Sequence, residues 1–147
     1  MNYDLLFSVA NTTALLAWLI LLLAPRWFLT KYTVISGASV MVLSLAYLIA
    51  VAWSLPGSEG DFSSLKGVMR LFEQPGAVLA GWLHYLAFDL FVGLWILQDS
   101  RKSEIRHRFI VPALILTFML GPVGLLTYHS IKSIVKKRWS YAINPVD

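Results

Sequence analysis

The sequence predicts an all-α integral membrane protein: a four-helix bundle with a short interfacial amphipathic helix between its second and third spans. Three observations predict this. Of the 147 residues, 58% are hydrophobic and only 14% are charged, where soluble domains carry about 25% charged residues. The mean hydropathy is +0.69. The apolar residues also gather into four runs, each close to the ~20 residues a helix needs to cross hydrocarbon. Such a length suits one membrane domain over 1–147.

The first run, 5–24, lacks a basic segment before it and is too long for a signal-peptide core, so it reads as a span. "PRWFLTKYT" separates it from the second run, 34–53. The long connection that follows contains "DFSSLKGVMRLFEQPG", in which Phe62, Leu65, Met69 and Phe72 recur at helical spacing while Ser63, Lys66, Arg70 and Glu73 fall elsewhere. That pattern predicts a short helix lying in the headgroup plane. Pro75 and Gly76 turn the chain into the third run, 78–97, with proline tolerated at a helix start. "QDSRKSEIRHR" leads to the fourth run, 109–128, and "KSIVKKRWSYAINPVD" reads as a basic, aromatic interfacial tail. Trp27, Tyr32, Trp53, Trp139 and Tyr141 stand at or beyond run ends, where aromatic belts form.

Charge supports membrane lipids as partners and no nucleic acid. The net charge is +4, and the basic residues sit between and after the apolar runs, as expected beside anionic headgroups. With four spans both termini share a side. One side then holds Lys66, Arg70, Lys132, Lys136, Lys137 and Arg138; the other holds Arg26, Lys31, Arg101, Lys102, Arg106 and Arg108. The positive-inside count is tied. The absence of cysteine excludes disulfides, thiol nucleophiles and thiolate metal sites.

Few polar residues lie within the runs. Asp89 is the most demanding, since a carboxyl near the middle of a span costs about 2.5–3.5 kcal/mol on insertion scales. Up-down packing of four spans places His84 level with Asn11, Tyr47 and Pro122, and Asp89 level with Leu16, Val42 and Thr117. Pro122 is expected to break the fourth helix's ladder and free backbone carbonyls as acceptors. At ~100° per residue, His84 and Asp89 point in different directions. His84 shares a face with Phe88, Phe91 and Trp95; Asp89 shares one with Trp82, Tyr85 and Gly93. Thr117, Gly121, Gly124 and Tyr128 form a small-residue stripe for close helix approach. His107 and His129 are expected to be solvated, and Glu73 and Asp99 to be interfacial carboxylates.

The catalytic candidates are therefore Asp89 and His84. The ligand-contacting candidates are Asn11, Tyr47, Trp82, Tyr85, Phe88, Phe91, Trp95 and Thr117. A retinal Schiff base needs a buried lysine, and all lysines lie outside the runs. Bis-histidine haem needs two histidines at one depth, which His84 and His129 do not share. Histidine and carboxylate spacing points to no metal, and no cofactor is named by any pattern. Two readings remain: an acid/base site in an apolar bundle, and a lipid-binding bundle with no chemistry.

The stretches "GWLHYLAFDLFVG" and "LGPVGLLTY" resemble the family of small membrane proteins named for an abscisic-acid-deficient plant. The resembling positions are Trp82, His84, Asp89, Leu90 and Phe91, with Pro122 and Gly124 in the late Pro-x-Gly turn. Plant members are required for making neoxanthin from violaxanthin, an isomerisation that opens an epoxide and forms an allene. The resemblance implies a carotenoid- or isoprenoid-modifying, isomerase-type protein with such a molecule as ligand. The alternative is a non-catalytic protein that binds carotenoid or lipid, or assists assembly. Some relatives carry arginine where this chain has Leu94. Because the chain starts almost directly in its first run, it resembles the shorter bacterial members, with a bacterial inner (plasma) membrane as the expected location. A homo-oligomer is compatible with all of this.

Overall fold

The computed structural model describes residues 2–30 and 36–136, and all regular structure among them is helical. Helix α1 (Tyr3–Leu23) starts at Asn2, whose side-chain oxygen accepts from the Leu5 N–H at 3.1 Å. A single turn, α2 (Phe28–Thr30), follows. Helix α3 (Ala38–Ser54) is succeeded by the short α4 (Leu65–Leu71), capped by Ser64, which accepts from the Gly67 N–H at 3.0 Å. Helix α5 (Pro75–Lys102) opens on a proline, as expected. Two more helices close the chain, α6 (His107–Leu120) and α7 (Pro122–Lys136).

Helix α5 is the central post, packed by α1, α3 and α6. Its Leu83, Leu90, Ile96 and Leu97 are fully buried with Trp18 and Leu21 of α1, Leu43 of α3, and Ile110 and Leu114 of α6. At one end, Gly76 of α5 lies against Ser54 at the end of α3 and Tyr3 at the start of α1. At the other end, the Arg101 guanidinium donates to the Pro25 carbonyl and His107 Nε2 lies 2.9 Å from the Leu22 carbonyl. Helices α1 and α5 thus run parallel, and α3 runs back between their ends. By length and composition, α1 and α5 are long and apolar enough to cross a membrane, whereas α3 and α6 are apolar but shorter.

The expected helix over 109–128 does not exist as one piece. Gly121 adopts φ 39° and ψ −91° and separates α6 from α7, a backbone conformation that side chains resist. Beyond it the chain doubles back: a methyl group on Gly124 would lie 2.1 Å from the backbone nitrogen of Thr117. Only glycine allows backbones so close. The direction of α7 follows from its partners. Its start lies at Asp89, while Tyr128 and Lys132 reach Asp99, further along α5. Helix α6 runs the opposite way, from His107 near the end of α1 to Phe118 and Met119 beside Tyr85. The two form an antiparallel hairpin whose tip meets α5 at Asp89, the fifteenth of its 28 residues.

Two expectations fall with this. Lys132 Nζ sits 2.7 Å from Asp99 Oδ2, although four up-down spans put these residues at opposite ends of the bundle. The Thr117–Gly121–Gly124–Tyr128 stripe is not one helix face, because it straddles the turn; Thr117 and Gly124 instead press against each other. A short helix is present in the long connection, α4, and Phe62 before it, Leu65 and Met69 within it and Phe72 at its end are exposed. Tyr32, the start of the second run, and the tail with Trp139 and Tyr141 lie outside the described residues.

Candidate functional site

One face of α5 carries Trp82, Tyr85 and Asp89 at helical spacing. Trp82 donates its indole N–H to Asn11 Oδ1 at 3.0 Å. The Asn11 amide nitrogen in turn donates to the Phe7 carbonyl at 2.7 Å, which fixes which end of the amide faces the indole. Phe7, Trp82 and Tyr85 then stack in series, with ring centroids 5.9 and 5.3 Å apart. The Tyr85 hydroxyl lies 3.1 Å from each of the Phe118 and Met119 carbonyls. These belong to the last turn of α6, and Pro122 has no N–H to offer Phe118 four residues back. Tyr85 offers one hydroxyl proton shared between the two carbonyls, and the same hydroxyl lies beside the Asp89 carboxyl, so the freed carbonyls expected from the sequence are there and are met from α5.

Between α1, α5 and α6 lies a cavity of about 400 Å³, bounded by Asn11, Thr12, Leu15, Trp82, Tyr85 and Met119 among others. Leu15, Trp82 and Met119 are exposed, so it opens sideways rather than at an end of the bundle. Asp89 lies one helical turn beyond Tyr85. It is 8% exposed, and its Oδ2 has no hydrogen-bond partner among the described residues. A methyl at Gly121 would lie 2.5 Å from its Oδ1. The carboxyl therefore abuts the turn immediately before the first residue of α7, the positive end of that helix's dipole. Tyr85 occupies the negative end of α6. Two short helices thus present opposite dipole ends to one polar strip of α5.

The remaining predicted residues are elsewhere. His84 is exposed on the other side of α5, stacked on Phe88 at 4.5 Å and near Tyr47 at 5.6 Å. Beside it, a second cavity of about 250 Å³ lies under α4, bounded by Tyr47, Leu71 and Phe72. The level of Asn11, Tyr47 and His84 is therefore divided: Tyr47 accompanies His84, whereas Asn11 belongs to Trp82. Thr117 is fully buried, but its hydroxyl donates to the Ala113 carbonyl of its own helix at 2.8 Å, and no bond to Asp89 forms. Phe88 and Phe91, 57% and 52% exposed, face outward. Trp95 turns away from them to meet Tyr128 and His129 at 5.7 and 5.5 Å.

A second polar centre escaped the sequence reading. Asp99 is 4% exposed and accepts from the Tyr128 hydroxyl and from Lys132. His129, expected to be solvated, is 6% exposed, and His107 is half-buried. Tyr128 and Lys132 share a helix face, which was the available signal. It pointed to Asp99 only once the hairpin brought α7 back along α5.

The profile of a family described as ABA DEFICIENT 4-like matches residues 5–128. The chain belongs to the ABA DEFICIENT 4-like family. A relative from Arabidopsis thaliana, Protein ABA DEFICIENT 4, chloroplastic, is 26% identical over 141 residues, covering 90% of this chain. The chain spans 63% of that relative's length. No solved structure matches. Within this family member, the positions that carried the resemblance separate into two places: Trp82 and Asp89 on the α1/α6 side of α5, His84 on the α3 side.

Proposed function

We propose that the chain is a multi-pass membrane protein acting on a carotenoid or a similar isoprenoid at the cavity beside Trp82 and Tyr85, with Asp89 as its acid/base group. The membrane part of this reading is supported by the surface. Leu5, Leu16, Leu45, Leu48, Phe91 and Leu126 are all exposed, a liability in water and ordinary in lipid. Three helices cross, and the α6–α7 hairpin enters and returns on one side. Its irregular tip rests on Asp89 through the buried Gly121, and Tyr85 reaches the Phe118 and Met119 carbonyls, while Met119, Leu120 and Val123 stay exposed.

That topology unties the charge count. Arg26, Arg101, Lys102, Arg106, Arg108, Lys132 and Lys136 gather at one end of the bundle, and only Lys66 and Arg70 lie at the other among the described residues. The positive-inside rule then directs the first end to the cytoplasm and the N-terminus outward, in a bacterial inner membrane.

A single observation carries the chemical part: a buried carboxyl oxygen without a partner, at mid-length of α5, one turn from a laterally open apolar cavity. A membrane-embedded carboxyl is costly and is kept where it acts. The isomerisation implied by the family resemblance needs a proton delivered to an epoxide oxygen as its C–O bond breaks, and a proton removed from the neighbouring polyene carbon. Composition is unchanged overall. Asp89 exchanges the proton; Trp82, Tyr85 and Leu15 hold the polyene. His84 cannot share this step, because it faces the opposite side of α5.

The test is Asp89→Asn expressed in a carotenoid-producing host. Conversion should be lost while the protein elutes as a single folded species in detergent. A pigment profile that the wild-type chain leaves unaltered overturns the reading. The Trp82–Asn11 and Tyr85–carbonyl bonds also favour a second reading, in which this strip is interhelical glue around a bound, unconverted lipid. In that case Asp89→Asn lowers thermal stability and leaves co-purified pigment chemically unchanged.

A further inference from the structure

A different cavity, at the basic end, is absorbed by neither reading. It measures about 250 Å³ and lies where the end of α1 meets the turn between α5 and α6. Pro25, Arg26, Arg101, Glu104, Arg106 and His107 line it. We infer that it is a binding site for a phosphate-bearing anion, the headgroup of an anionic phospholipid or a free phosphate.

The charge is unbalanced in a way that suits an anion. Three guanidinium groups surround the space against one carboxylate, and among the described residues Glu104 has no ion-pair partner; the ion pair there is that of Lys132 with Asp99. Arginine's planar fork of donors matches phosphate oxygens. Arg101 is held in place by its bond to the Pro25 carbonyl, so its remaining donors are pre-set rather than recruited. His107 adds to this. The Leu22 carbonyl can only accept, so Nε2 carries the proton, and buried Nδ1 is left with no partner.

The backbone of the turn is also costly for its sequence. The Ile105 N–H donates to the Ser100 carbonyl at 2.8 Å and the Glu104 N–H to the Arg101 carbonyl at 3.1 Å, closing the end of α5. This closure puts Glu104 in the left-handed region at φ 53°, the one non-glycine residue with positive φ among the described residues. It delivers Arg101 and Arg106 to the two sides of the same cavity. The volume lies below the ~300–1,000 Å³ that drug-sized ligands occupy, which suits a headgroup. Trp27 and Phe28, next in sequence to the lining residue Arg26, are exposed, as at an interface.

Placing this cavity at headgroup level rests on the membrane reading above, and the experiment separates the two. The delipidated full chain in detergent is titrated with short-chain phosphatidylglycerol or phosphatidylcholine and followed by native mass spectrometry. Phosphatidylglycerol should bind in preference. The double variant Arg26→Gln/Arg106→Gln should weaken it by roughly 30-fold, two charges each acting at the headgroup surface. Lys66→Gln/Arg70→Gln, at the other end, should change nothing. Competition by millimolar inorganic phosphate assigns the site to a free phosphate; its absence assigns it to the lipid. Equal binding of both lipids, or equal losses in the two double variants, overturns the site. A chain recovered without detergent in the soluble fraction instead overturns the membrane reading.

Discussion

Asp89 and Asp99 are both buried carboxylates of α5, and their surroundings give them opposite work. Asp99 has Tyr128 and Lys132 on it. Removing it strands a hydroxyl and an ammonium, so Asp99→Ala should cost about 3 kcal/mol, read by denaturant unfolding in detergent. Asp89 has one oxygen without a partner. Asp89→Asn should therefore cost far less stability than Asp99→Ala, and the same unfolding assay checks it. The reverse order would make Asp89 the structural group. From sequence, the demand of Asp89 was plain because it sits mid-run, whereas Asp99 at a run end looked like an ordinary interfacial acid. What separates them is company, and company comes from α7.

At the level of elements, the α6–α7 hairpin organises the site. It supplies the two carbonyls that Tyr85 bonds and the turn against which Asp89 rests. Its closest point is Gly124 on Thr117, where any side chain collides with backbone rather than with a flexible neighbour. Gly124→Ala should destabilise by about 3 kcal/mol, with loss of the Tyr85 contacts seen as changed tyrosine fluorescence. An unfolding midpoint equal to wild type would mean the helices do not approach this way. The residues of the break, Gly121 and Pro122, stood in view in the sequence, and the freed carbonyls were foreseen. Their consequence was not. A glycine–proline step permits a kink or a reversal equally well, and the local pattern is the same for both. Helix α4, by contrast, was legible outright, because a period of apolar residues in a polar connection has one local solution.

For the whole molecule, the hairpin decides which ends face which way. The start of α1 and the end of α7 lie at opposite ends of the bundle; under the proposed membrane reading three crossings put them on opposite sides, and four would put them together. The chain has no cysteine, so single cysteines report without background. Asn2→Cys and Lys136→Cys in intact membranes should be labelled by an impermeant maleimide from opposite sides. Labelling of both from one side would restore the four-span arrangement.

The sequence by itself determined the helical class, the positions of α1, α3, α4 and α5, the family, and the shared face of Trp82, Tyr85 and Asp89. Each depends on composition or on periodicity along one helix, which neighbours in the chain set. Only the tertiary structure decided that the last apolar run folds back, that Asp99 is buried against α7, that Asn11 serves Trp82 rather than His84, and that the basic residues gather at one end. Each of these depends on which helix lies beside which, and a run of about 20 apolar residues satisfies its own periodicity whether it crosses once or turns halfway.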